Sequence, residues 1–159
     1  MRRLSWDAYF IAMCKTVGKR ATCDRGRNAC VIVKDKHILS TGYVGAPPGM
    51  PHCDEAGHIL KYALDAQGRR VKHCIRTVHA EQNAIAQAAR YGIALEDATL
   101  YTLMTPCLDC AKLLLSVGIK RVVSERRYHA DEEALEILKK ANVEITVLKE
   151  EVVKYKKST

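Results

Sequence analysis

The sequence predicts an α/β protein, a three-layer α/β/α sandwich around a five-stranded mixed sheet. Two short runs rich in β-branched residues flank a tight turn near residue 35 and give an antiparallel pair. From residue 78 onward, helical and strand patterns alternate three times, an order that favours parallel strands with helices on the sheet faces. The alanine-rich stretch 78–91 has the composition of a buried helix.

Residues 4–17 place Leu4, Tyr9 (or Ala8), Ile11 and Met13 among polar neighbours, with Ser5 as a capping hydroxyl and Gly18 as the stop, so a first amphipathic helix is expected. Strands are expected at 29–34 and 37–44, joined through Asp35 and Lys36. The Gly- and Pro-rich stretch 45–51 reads as a shaped loop. A helix is predicted across 59–64, then a polar turn at Gly68, Arg69 and Arg70. After the helix at 78–91, closed by Gly92, come a strand at 98–104 and a helix to about 117. Thr105 is its expected cap and Pro106 its first residue. A strand at 120–124, a helix at 131–141 and a strand at 143–148 complete the order, and 150–159 reads as a frayed, charged tail.

At 159 residues the chain is expected to form one domain, 1–159, with about 149–159 as the charged tail. Its 48% apolar and 28% charged content is that of a soluble globule. No apolar run approaches the roughly 20 residues that span a bilayer, and Asp7 interrupts any signal-peptide core. A cytoplasmic location and no membrane partner are expected. Seven cysteines without an export signal point to metal rather than disulfides. The net charge of +8 favours anionic partners, either a phosphorylated small molecule or nucleic acid.

Two stretches carry the chemistry: His79-Ala80-Glu81 and Pro106-Cys107-Leu108-Asp109-Cys110. Cys107 and Cys110 are three apart at a helix start, so their thiols share a side, and the positive helix end favours the thiolate that zinc requires. With His79 they supply three zinc ligands and leave the fourth position for water. Glu81 is then placed to carry protons beside that water. A structural zinc knuckle, with Glu81 a solvated helix residue, is the competing reading. The combination matches the H-x-E…P-C-x-x-C signature described for zinc nucleobase deaminases.

Over nearly its full length the chain resembles the deoxycytidylate (dCMP) deaminases of the cytidine deaminase superfamily. The matching stretches are Ser5-Trp-Asp-Ala-Tyr-Phe10, Thr41-Gly-Tyr-Val-Gly45, His52-Cys53, Arg76-Thr-Val-His-Ala-Glu-Gln-Asn-Ala-Ile85, Pro106-Cys-Leu-Asp-Cys-Ala-Lys112, Gly118-Ile-Lys120 and Arg127-Tyr-His129. The resemblance implies the α/β/α fold, hydrolysis of dCMP to dUMP and ammonia, and a homo-oligomer, hexameric or smaller. Three positions depart from the family pattern. Val44, which cannot hydrogen-bond, stands where an asparagine contacts the sugar. Asn28-Ala29-Cys30 replaces Val-Gly-Ala, and Arg127-Tyr128-His129 replaces Lys-Tyr-His.

The resemblance also implies a second zinc, since some relatives hold one with cysteines at the positions of Cys23 and Cys53. Cys74 and His58 are assigned as its remaining ligands here, with His73 in reserve; buried free thiols are the alternative. For the substrate, Val44 and the phosphate candidates Arg25, Arg27, Arg127 and Tyr128 are named, from loops that the resemblance brings to the cleft. Cys14 and Cys30 read as core residues. A deaminase acting on tRNA or single-stranded nucleic acid is the alternative enzyme. With 6% aromatic residues the chain offers few stacking surfaces, so nucleic acid is not the expected partner. A non-catalytic zinc-binding accessory protein is the third reading.

Overall fold

The structure is a computed structural model that describes residues 2–65, 67–153 and 155. The first helix, α1, spans Trp6–Gly18, and the Ser5 hydroxyl accepts the Ala8 N–H as expected of its cap. Strands β1 (Ala29–Lys34) and β2 (His37–Tyr43) pair antiparallel. Asp35 and Lys36 between them both have positive φ, 49° and 65°, the primed-turn geometry whose twist matches a hairpin.

The stretch predicted as a helix across 59–64 is instead a strand. A short helix α2 (Cys53–Ala56) is followed by β3 (Leu60–Leu64) and β4 (Arg70–Cys74), which form a separate two-stranded sheet turned at the left-handed Gly68. The main sheet resumes after α3 (Ala80–Arg90), with β5 (Thr99–Met104), α4 (Leu108–Ser116), β6 (Arg121–Tyr128), α5 (Glu132–Lys140) and β7 (Glu144–Val147).

Strand order in the main sheet is β2-β1-β5-β6-β7, antiparallel on the β1 side and parallel from β5 to β7. A sixth strand, β8 (Val152–Val153), pairs in parallel with Arg127 and Tyr128 of β6. The expected frayed tail is therefore partly ordered; positions 154 and 156–159 lie outside the described residues. The pairing follows from strand lengths. β7 covers β6 only as far as Ser124, so the far end of β6 has free backbone groups, and Arg127 N–H donates to Glu151 O at 2.9 Å.

Side-chain alternation divides the core in two. Ala29, Val31, Val33, Tyr101, Leu103 and Val123 face Phe10, Ile11 and Cys14 of α1. Cys30, Ile32, Leu100 and Val122 face the layer of α3, α4 and α5, where Ala84, Leu114 and Leu138 meet them. Among the described residues, no helix is long and apolar enough to cross a membrane.

Helix α3 lies close on β2, and this contact sets the site. The Ser40 hydroxyl donates to Ala84 O at 2.6 Å, and the Asn83 amide donates to Tyr43 O at 2.7 Å. A Cβ on Gly42 would collide with the Ala80 carbonyl oxygen and reach 2.7 Å from the Ala84 nitrogen, both backbone atoms of α3. Gly42→Ala is expected to destabilise the fold by about 2–3 kcal/mol, measured as a fall in the urea midpoint at unchanged slope.

Candidate active site

Two helix N-termini meet at the carboxyl ends of the parallel strands. His79 caps α3, and its backbone N–H is taken by the Gln82 side chain at 3.0 Å, which leaves the imidazole free to turn outward. Cys107 caps α4 and Cys110 lies in its first turn. His79 Nδ1 stands 3.4 Å from each sulfur, and all three ligand atoms lie within 4.8 Å of one another. Helix α4 starts later than the sequence predicts, at Leu108, and Thr105 is not its cap. The Thr105 hydroxyl donates instead to the buried Asp131 carboxylate at 2.6 Å and accepts the Tyr128 N–H at 2.7 Å. A buried charge that needs donors outcompetes a local cap here.

The donor chemistry fits zinc. Hydrogen bonding from Cys110, opposed by burial and reinforced by His79, pulls the Cys107 thiol well below its ordinary range, the direction that favours a metal-binding thiolate. His79 is raised to about 9, first by its hydrogen bond to Cys107, with burial opposing. This trio offers three donors, so a four-coordinate zinc held by them would keep one position for a non-protein ligand.

Glu81 adjoins this trio and is 2% exposed. Its Oε2 lies 3.6 Å from Cys110 Sγ, while its Oε1 accepts the Asn28 amide at 3.1 Å and lies 3.4 Å from the Thr102 hydroxyl. Burial pushes the Glu81 carboxyl upward, against the pull of His79.

The cavity before these groups, about 80 Å³, is lined by His79, Glu81 and Cys107 and also by Val44, Arg25, His73 and Tyr128. Two predicted phosphate residues are elsewhere. Arg27, two residues after Arg25, lines a separate groove with Lys15, Lys19 and Arg126. Arg127 does not line the cavity; its guanidinium grips Asp131 through two bonds of 2.6 and 2.8 Å. His73 faces the catalytic cavity and is not among the second set of ligands. Sequence reasoning missed Asn28, Thr102 and Tyr155. Asn28 was visible as a departure from the family pattern, whereas Tyr155 reaches the cavity only because β8 folds the tail back.

The second set does assemble. The ligand atoms of Cys23, Cys53, His58 and Cys74 lie within 4.8 Å of one another. Cys23 Sγ is 3.8 Å from His58 Nδ1, and Cys53 Sγ is 3.6 Å from Cys74 Sγ. Asp24 holds the other nitrogen of His58 at 3.0 Å, which orients the ring as an outer carboxylate does for a metal-bound histidine. Burial first, and then the neighbouring Cys74, raise the Cys53 thiol.

An α/β/α sheet with a three-ligand Cys/His cluster beside a buried glutamate defines a class, the zinc-site deaminase fold. The family described as "Cytidine and deoxycytidylate deaminase zinc-binding region" matches residues 4–126, and the chain belongs to it. It is 34% identical over 145 residues to "ComE operon protein 2" of Bacillus subtilis, covering 91% of this chain and 72% of that protein. It is also 34% identical over 143 residues to a deoxycytidylate deaminase of Schizosaccharomyces pombe, covering 90% of this chain but only 44% of the relative. The chain thus spans about half the length of that fungal relative. The dCMP deaminase of cyanophage S-TIM5, solved with dCMP and dUMP, superposes with a TM-score of 0.72 at 21% identity, over 96% of this chain and 100% of the other.

Proposed function

We infer that this chain is a zinc-dependent hydrolytic deaminase that converts dCMP and water to dUMP and ammonia. The observation that carries the reading is Glu81: a fully buried carboxylate with one oxygen turned to the Cys110 side of the ligand trio, at the back of a cavity. A scaffold zinc has no use for such a group. The names of the fungal and cyanophage relatives support dCMP as the substrate. The reading extends to one domain over residues 1–159, acting in the cytoplasm. The family resemblance implies a homo-oligomer, hexameric or smaller, and half-exposed Trp6 and Tyr9 on α1 and exposed Tyr62 and Leu64 on the hairpin offer apolar surface for such contacts.

His79, Cys107 and Cys110 would hold the catalytic zinc. When bound, zinc lowers the pKa of a water in its open position to about 7. Glu81 takes one proton from the attacking water and delivers it to the pyrimidine ring nitrogen, then takes the second from the hydroxyl now on the carbon and delivers it to the amine, which leaves as ammonia as the C–N bond breaks and the carbonyl forms. A carboxyl raised by burial suits both directions of transfer. Arg25 and Tyr128 face the nucleotide, and Val44 contributes an apolar wall. A nucleotide needs more than the about 80 Å³ described, since small-molecule sites run to roughly 300–1,000 Å³. Tyr155 closes part of the cavity wall.

Cys23, Cys53, His58 and Cys74 would hold a second, closed zinc with a structural role. The β3–β4 hairpin supports this reading: it stands apart from the main sheet, Tyr62 is 58% and Leu64 70% exposed, and a lone hairpin is barely stable in water. The four ligands join the loop after α1, the start of α2, the link from α2 to β3 and the end of β4.

The test is a substrate panel with the zinc-loaded protein: dCMP, CMP, dCTP, deoxycytidine and a tRNA. Fastest turnover is expected for dCMP, with deoxycytidine poor because it lacks the phosphate. Turnover of tRNA alone would overturn the assignment in favour of nucleic-acid editing, and turnover of none would remove the deaminase reading.

A further inference from the structure

We propose that Asn28 is a positioning residue for Glu81, holding one carboxylate oxygen so that the other faces the ligand trio. The inference rests on the deaminase reading for its meaning in catalysis, while the clamp itself is a matter of geometry.

The two oxygens of Glu81 have different surroundings. Oε1 accepts the Asn28 Nδ2–H at 3.1 Å and lies 3.4 Å from Thr102 Oγ1, whereas Oε2 lies beside Cys110 Sγ at 3.6 Å. The orientation of the Asn28 amide is itself determined. Its Oδ1 lies 3.2 Å from the Thr102 hydroxyl, and reversing the amide would set an oxygen in place of a donor against the Glu81 carboxylate. Thr102 Oγ1 is in turn 3.1 Å from Met104 O, which ties the network to the end of β5.

The backbone that carries Asn28 is also fixed. Its carbonyl accepts the Val44 N–H at 3.0 Å, extending the β1–β2 pairing by one step. Asn28 and Thr102 are 7% and 0% exposed, so water does not compete for these bonds. A glutamate has three rotatable bonds, and a proton carrier displaced by an ångström loses much of its rate. A valine at 28, as in the family pattern, has no donor.

Variants of the network and one spectrum test the clamp. Asn28→Val and the nearly isosteric Asn28→Asp are assayed with dCMP at saturating zinc, with zinc content and thermal midpoint measured alongside. Outer partners of a metal site typically contribute about 10–100-fold. We expect kcat to fall at least about tenfold in Asn28→Val and further in Asn28→Asp, which sets an acceptor against Oε1, with KM within about threefold and zinc unchanged. Thr102→Val should lower kcat less, and the Asn28→Val/Thr102→Val pair should be no worse than Asn28→Val alone. A kcat within threefold of the parent in Asn28→Asp, a change confined to KM, or additive losses would overturn the proposal. In ¹⁵N-labelled protein the Asn28 side-chain amide should exchange slowly and lose that protection in Glu81→Ala; exchange at the rate of a free amide in the parent would overturn the clamp whatever the substrate. If the parent turns over no cytosine nucleotide, the deaminase reading fails and the spectrum still decides the contact.

Discussion

Glu81→Gln retains zinc and loses about 10³-fold in kcat on dCMP, within the 10²–10⁴-fold typical of a general acid–base group. Glutamine keeps the shape of the side chain, and its amide oxygen can still accept the Asn28 N–H now received by Oε1 at 3.1 Å. What it loses is the capacity to hold and return a proton. The three ligands, His79, Cys107 and Cys110, do not include Glu81, so metal content measured by atomic absorption should match the parent. KM should change little, because the carboxylate acts on water and the ring nitrogen while Arg25 and Tyr128 face the rest of the nucleotide. Loss of zinc along with activity would instead make Glu81 a ligand, and unchanged kcat would remove it from the reaction.

The second large effect concerns Cys74→Ser and, separately, Cys53→Ser. Each is expected to lower zinc from two per chain to one. The thermal midpoint should fall by about 5–10 °C, as a loss of a few kcal/mol gives in a chain of this size. The hairpin has little else to hold it. Among the described residues its strands pair only with each other, and β3 is exposed along most of its length. It also carries Lys72 and His73 to the cavity wall, so activity should fall through KM as well. One zinc per chain in the parent, with neither number nor midpoint altered in the variants, would leave these four residues as free thiols and an ordinary histidine.

The alternating second half of the fold was legible because its elements are buried and their periodicity is therefore written in apolar residues. Both catalytic stretches were legible for a different reason: His79 with Glu81, and Cys107 with Cys110, each lie within one local segment, and a helix start brings the members together. The segment 59–64 was misread because β3 has no buried face to enforce alternation; Lys61, Tyr62, Ala63 and Leu64 are all exposed. Thr105 obeyed the rule for a helix cap and was claimed by Asp131, a partner 26 residues away that local reading does not see. Arg25 and Arg27 looked equivalent, yet they point to different cavities. Strand β8 is two valines long, below any periodic signal. The contact between Asn28 and Glu81 spans 53 positions and exists only because α3 packs on the β1–β2 hairpin through Gly42.

The most direct measurement of the central claim is the deamination of dCMP by the zinc-loaded chain in ¹⁸O-labelled water. Hydrolysis at the amino-bearing carbon predicts dUMP that carries one labelled oxygen, with one ammonia released per dUMP formed and both products abolished by a chelator that strips the catalytic site. Absence of dUMP from the zinc-loaded protein, or dUMP formed without the label, would contradict it.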